Sequence, residues 1–289
     1  MVSNRTNRKV KKIIKPQVVL EGAGVRLKRS FPTNVLDYPD PFLLFDHFGS
    51  DDPADYLAGF PMHPHRGIET VTYMLAGAVN HRDSIGNSGT IRAGDVQWMT
   101  AGRGILHEEM PEPVDGHMEG FQLWVNLPSG LKMTQPAYQE VAAMSIPGVE
   151  SGPGVRLRLI VGNVDEFTGP VVGIAAEPVY LDVALSERVV FSHPFPRDHT
   201  VLIYLYRGSI YLVEENTNTG KTIYAPAMLL LEDGDMVTVR SADEPVRFLV
   251  MSGKPMNEQI FRYGPFVMNT RAEIEQTLLE LRNGTFIKI

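Results

Sequence analysis

Residues 60–75 read FPMHPHRGIETVTYML, and residues 93–111 read AGDVQWMTAGRGILHEEMP. His63 and His65 stand two apart in the first stretch, and His107 and Glu109 stand two apart in the second. A β-strand turns successive side chains to opposite faces, so each pair shares a face. Two such strands laid side by side, with those faces together, bring three imidazoles and one carboxylate to a point. That donor set suits a divalent first-row metal. A single His-x-His pair is commonly a surface feature. Two pairs at strand spacing, each flanked by glycine, form a stronger pattern. His81 fits neither pair and reads as a loop or surface residue. Glu108 adjoins Glu109 but has the wrong parity.

The flanking sequence is that of an all-β protein. Glu69 to Leu75 alternates and then meets Gly77. Residues 81–89 (HRDSIGNSG) read as a turn-rich connector. Residues 91–100 resume as strand, and Gly120 to Leu127 reads as another. There Phe121, Leu123, Val125 and Leu127 form one face. Gln122, Trp124 and Asn126 form the other, which suggests a partly wet cavity. Val18 to Ser30 reads as strand, and Asp40 to Phe48 as a buried strand. Asp46 and His47 are adjacent, so they face opposite ways. Beyond residue 154, short apolar runs recur at regular spacing, as in a sandwich or barrel. Residues 270–284 predict a helix, with Thr270 and Glu273 as a capping box, an apolar stripe at Ile274, Leu278 and Leu281, and Gly284 as the stop.

With 289 residues, 43% of them hydrophobic, the chain has room for one large domain or two medium ones. It holds no cysteine, which excludes disulfides and thiol chemistry. A formal net charge of -7 argues against broad nucleic-acid binding. Residues 5–15 (RTNRKVKKIIK) are basic, and residues 1–17 read as a poorly ordered tail. No secretory segment or membrane-length run is evident, so a cytoplasmic protein is expected, also nuclear in a eukaryote.

A faint internal repeat relates residues 70–80 to 200–212 and residues 93–100 to 233–240. Matching Gly77 to Gly208 puts Pro194 and Pro196 at the places of His63 and His65. Matching Gly94 to Gly234 puts Arg247 and Leu249 at those of His107 and Glu109. Two similar β-barrels with one metal, in the first, are therefore expected. Their boundaries fall at 18–140 and at 141–289, the second including the helix.

The stretches HPHRG, ETVTYM, HRDS, GDVQWMTAGRGILHEEMP, LWVNLP and YGPFVMNT resemble the pirin family, a branch of the cupin superfamily. The resemblance spans about Gly22 to Asn283. It implies a bicupin: two cupin (double-stranded β-helix, jelly-roll) barrels packed face to face, with a short C-terminal helix. It implies one metal held by His63, His65, His107 and Glu109. Fe(II) is expected, with Mn, Co, Ni, Cu and Zn also compatible. The general cupin pattern uses a Glu after His-x-His, a place Glu69 approaches. In pirins the later acid is used instead, so Glu69 reads as supporting or structural. Gln122 matches a position lining the pirin pocket, and Phe60 and Met62 are candidates for its apolar wall.

Some pirins are quercetinases. The resemblance therefore implies a quercetin 2,3-dioxygenase that takes a flavonol-like small molecule and dioxygen, with Glu109 as the catalytic base. Other pirins are iron-containing, redox-sensing regulators that bind a protein partner, a transcription factor or metabolic enzyme, without turnover. An open apolar pocket at the metal favours the first reading, and a plugged one the second. Neither calls for direct nucleic-acid or membrane contact, and a monomer is expected.

Overall fold

Short β-branched and aromatic runs closed by glycine turns fold here into antiparallel strands throughout. The computed structural model describes residues 5–112, 116–213 and 220–288. In chain order the strands are β1 (Val10–Ile14), β2 (Gln17–Glu21), β3 (Val25–Phe31), β4 (Phe42–Ser50), β5 (Phe60–His65), β6 (Ile68–Ala76), β7 (Ala78–Asp83), β8 (Ser88–Arg92), β9 (Val96–Thr100), β10 (Ile105–Glu112), β11 (Met118–Asn126) and β12 (Ala137–Val141). They continue as β13 (Gly148–Glu150), β14 (Val155–Val161), β15 (Asn163–Val164), β16 (Phe167–Thr168), β17 (Val179–Leu185), β18 (Val190–Pro194), β19 (Thr200–Arg207), β20 (Ser209–Val213), β21 (Gly220–Tyr224), β22 (Ala227–Leu231), β23 (Met236–Ser241), β24 (Val246–Gly253), β25 (Phe261–Tyr263) and β26 (Phe266–Met268). Helix α1 (Arg271–Arg282) follows.

The chain forms two units. One comprises Gln17–Ser145 with Met256–Ile289, and the other Met1–Pro16 with Ile146–Pro255. Each unit has a seven-stranded and a four-stranded sheet. In the first the orders are β12-β9-β6-β11-β4-β3-β2 and β5-β10-β7-β8. In the second they are β1-β22-β19-β24-β17-β14-β13 and β18-β23-β20-β21. The two sets of orders match strand for strand, so the repeat is real at the level of topology. Two layers of antiparallel strands enclosing one core is the cupin arrangement. The second unit fills its interior with one apolar cluster that includes Leu159, Val183, Ile203, Leu229 and Phe248.

Three expectations change. Residues 1–17 are not a loose tail as far as they are described, although residues 1–4 lie outside the described residues. Val10–Ile14 is a strand paired with β22, and it takes the edge that β12 takes beside β9 in the first unit. Ile14 is buried while Lys11 and Lys12 stay in solvent, so the basic run belongs to an edge strand with its lysines exposed. Arg8 fastens it, donating to the backbone carbonyls of Pro196, Arg197, His199 and Glu232 at 2.6–3.1 Å. Next, the helix packs on β25 and β26 in the unit that carries His63, rather than in the one formed by residues 146–255. Finally, the counterpart of β10 is β23, not β24. Gly-Asp turns precede two consecutive strands of the fold, and matching on them slips the repeat by one strand.

The helix is anchored through the residue that follows His65. Arg66 is 1% exposed. Its Nε donates to the Arg103 carbonyl at 2.7 Å, its Nη1 to Thr277 Oγ1 at 3.0 Å and its Nη2 to Glu280 Oε2 at 2.7 Å. The guanidinium lies 4.5 Å from the Phe286 ring centroid. Thr270 and Glu273 form the reciprocal capping box, and Ile274 joins Phe266, Met268 and Phe286 in a small core. Leu281 stays 37% exposed, so the buried stripe is narrower than the sequence suggests. Next to Arg66, Gly67 has φ +77, and a Cβ there would strike the Val267 carbonyl. Among the described residues no helix is long and apolar enough to cross a membrane.

Replacing Arg66 by Ala leaves Glu280 and Thr277 without their buried partner. Arg66 is fully buried and ties the Arg103 carbonyl, Thr277 and the partly buried Glu280 together, so Arg66→Ala is expected to lower unfolding stability by roughly 3 kcal/mol. Urea unfolding followed by circular dichroism measures it. A loss below about 1 kcal/mol, the range of an exposed pair, contradicts this role.

Candidate metal centre and cavity

β10 lies between β5 and β7 in the four-stranded sheet. The register sets His107 opposite His63 on β5 and opposite Asp83 on β7. His65 is two residues along from His63 and shares its face. One ligand atom from each of His63, His65 and His107 lies within 4.8 Å of the others. Ring centroids are 4.3 Å apart for His63 and His107, and 5.0 Å for His65 and His107.

His63 Nδ1 is 2.9 Å from the Pro61 carbonyl oxygen, which fixes the proton on that nitrogen. His63 Nε2 faces His65 Nε2 at 3.1 Å. Neither nitrogen of the fully buried His107 has a hydrogen-bond partner among the described residues. Burial holds the His65 and His107 imidazoles well below the ordinary histidine value, and the neighbouring imidazoles push the same way. Three clustered imidazoles, two of them held neutral, with so few protein partners, fit a divalent cation at their centre.

Glu109 stands outside that 4.8 Å group. A register shift between His107 and Glu109 pairs Glu109 with Phe60. Its carboxylate is buried and gripped from the other sheet. Thr72 Oγ1 donates to Oε1 at 2.8 Å, and Gln122 Nε2 donates to Oε2 at 3.1 Å. Thr72 and Gln122 are themselves direct cross-strand partners on β6 and β11.

A cavity of about 570 Å³ opens on this cluster. His63, His65, Thr72, Glu109 and Gln122 line one part of it. Val25, Leu27, Leu44, Phe48, Phe60 and Trp124 supply apolar wall. The volume falls in the range of small-molecule sites. Phe60 and Gln122 thus line the cavity, whereas Met62 is 44% exposed and does not. Met62 is one residue from His63, so strand alternation turns it outward. Phe60 reaches the cavity because the irregular pairing breaks that alternation. Asp46 also lines it, held by Arg29 through Nε at 2.9 Å and Nη2 at 2.7 Å, and Arg29 Nη1 reaches Glu21 at 2.6 Å. Burial outweighs that pairing and pushes the Asp46 carboxyl up to about 6.

His81 is not a surface residue. It is 2% exposed on β7, stacked on Tyr138 at 4.9 Å and 5.5 Å from the His107 ring. Its Nε2 is 3.3 Å from Asp83 Oδ2. Asp83 in turn accepts from the backbone of Ile85 and Asn87 and so caps the β7–β8 turn. Sequence reasoning also misses Thr72 and Arg262. For Thr72 the available signal is its parity with Thr70 and the HPHRG turn. For Arg262, which is more than a hundred residues from the lining groups on β3 to β11, there is none.

A family model described as Pirin matches residues 24–125, and one described as Pirin C-terminal cupin domain matches residues 180–287. The chain is 44% identical over 280 residues to a pirin-like protein of Caulobacter vibrioides, covering 96% of this chain and 99% of that one. It is 42% identical over 270 residues to pirin of Homo sapiens, covering 91% and 89%. A crystal structure described as quercetin 2,3-dioxygenase from Acinetobacter baumannii superposes with TM-score 0.87 at 35% identity, covering 97% of this chain and 99% of that one.

Glu69 stands apart from the cavity lining. It sits on β6 opposite Thr100 of β9, whose hydroxyl donates to Oε1 at 2.9 Å. Burial pushes this carboxyl from the ordinary 4.5 up to about 7. The folded state therefore holds a proton that the unfolded chain releases. The stability this contributes is complete below pH 4.5 and is lost as pH rises toward about 7. Glu69→Gln removes that dependence. Stability of Glu69→Gln relative to the wild type is expected to rise by roughly 2–3 kcal/mol from pH 5 to pH 8. Urea midpoints at the two pH values measure it, and a difference that stays constant with pH contradicts the assignment.

Proposed function

This chain belongs to the pirin family, and from that premise we propose that it is a metal-dependent dioxygenase that opens a flavonol such as quercetin with dioxygen. The observation that carries the reading is the cavity of about 570 Å³ that reaches the histidine cluster instead of being plugged above it. That feature favours turnover over a regulator whose metal would only sense redox state. The similarity to a structure named as a quercetin 2,3-dioxygenase supports the same choice.

His63, His65 and His107 would hold the metal, with Glu109 as the fourth donor. When bound, Fe(II), or another divalent ion of the same row, supplies Lewis-acid polarisation of a substrate hydroxyl and redox contact with dioxygen. The chain does the rest. Phe60 and Trp124 offer flat apolar surface to the fused rings, and with Leu44 they exclude water. Glu109 receives the proton of the flavonol 3-hydroxyl, which raises electron density at the ring carbons that take up oxygen. Thr72 and Gln122 keep that carboxylate aimed into the cavity and share its charge. Both atoms of dioxygen enter the ring-opened ester, and carbon monoxide leaves.

Protein loaded separately with iron, manganese, cobalt, nickel and copper, then given quercetin and dioxygen, tests the proposal. Loss of the flavonol absorbance with one dioxygen consumed per flavonol is expected for at least one metal. Glu109→Gln is expected to lower kcat by about 10²-fold or more, the usual range for losing a general base. Metal content measured in parallel separates a lost base from a lost metal. No turnover with any of these metals overturns the enzyme reading.

A further inference from the structure

Most polar groups in the cavity wall are already committed. Arg29 is locked to Asp46 and Glu21, and Glu109 to Thr72 and Gln122. Arg262 is not. It lies on β25, in the segment that returns to this unit after residue 255, and it lines the cavity with Gly264 and Pro265. Its Nε donates to the Gly264 carbonyl at 3.0 Å. Its Nη1 is buried without a hydrogen-bond partner, and among the described residues no carboxylate is paired with it. Asp46 feels its charge but is already held by Arg29. The guanidinium lies 4.9 Å from the Trp124 ring centroid, and the same indole meets the His65 ring edge-on at 5.0 Å. An unanswered cation thus stands one indole's breadth from the histidine cluster, inside a mostly apolar wall.

A buried guanidinium donor left without an acceptor is unfavourable, and a bound anionic oxygen removes that penalty. Trp124 and Tyr38, with ring centroids 4.9 and 6.0 Å from the guanidinium carbon, hold the fork in place where the residue lines the cavity. We propose that Arg262 is the specificity-determining residue of this cavity. It selects planar aromatic substrates that carry, besides the hydroxyl presented to the histidines, a second oxygen that is anionic at neutral pH, as a carboxylate or an ionised phenol. The inference rests on reading this cavity as the substrate site. It does not depend on turnover.

Binding is therefore measured without oxygen, on the zinc-loaded protein, by quenching of tryptophan fluorescence. The two probes are 3-hydroxyflavone and its 4′-carboxylate, which differ only in the anionic group. The wild type is expected to bind the carboxylate at least about tenfold more tightly, as for one charge-assisted hydrogen bond. Arg262→Gln is expected to abolish that preference while changing affinity for 3-hydroxyflavone less than about threefold. Arg262→Lys, which keeps the charge but not the fork, retains part of it. The same preference in wild type and Arg262→Gln overturns the role of Arg262 and leaves the cavity reading intact. Failure of the wild type to bind either probe overturns both.

Discussion

Gathering three imidazoles around one point, two of them buried, is the constraint on which this unit depends. Water is excluded from His107 completely, and its two nitrogens have no protein partner. Such groups are unfavourable in an apolar interior unless something meets their lone pairs. The antiparallel register that puts His107 opposite His63 gives them no freedom to separate. A cation between them turns the same arrangement from a liability into a cohesive centre, and binding energy for the metal then adds to the stability of the fold.

The groups behind the cluster keep it rigid. Arg66 follows His65 directly and is held by the returning C-terminal segment, through Glu280, Thr277 and the Val267 N–H, which donates to its carbonyl, while the next residue, Gly67, donates to the Gly102 carbonyl. Buried Lys132 donates to the Gly67 carbonyl at 2.8 Å and to the Asn126 side chain, and burial pulls its ammonium down to about 7. Residues 256–289 thus serve twice. They brace the strand that carries His63 and His65, and they contribute Arg262 to the cavity wall. Supporting groups of this kind orient metal-binding imidazoles, and their loss is felt at the site although they never touch it.

Much of this arrangement is legible in the amino-acid sequence. Two-residue spacing exposes the histidine pairs, and alternation along residues 120–127 places Gln122 and Trp124 on a cavity face. The failures have physical causes. Phe60 and Met62 look alike in sequence because the irregular pairing near Glu109 breaks the two-residue rule. The N-terminal basic run hides a strand because three of its residues face solvent and its partner, β22, lies more than two hundred residues away. His81 reads as superficial since its burial depends on Tyr138 from a distant edge strand. Proximity in sequence assigns the helix to the second unit, whereas the Arg66 ion pair decides where it packs.

The second unit repeats the strand order of the first but packs its interior with aliphatic and aromatic side chains. Among the described residues only His63, His65 and His107 form a cluster that could hold a metal. One topology therefore serves as scaffold in one unit and as a candidate centre in the other. X-ray absorption of the iron-loaded protein tests that claim most directly. Three imidazole ligands in the wild type, with the imidazole signal collapsing in His107→Ala, are predicted. A spectrum with one imidazole or none, or one unchanged by His107→Ala, contradicts it.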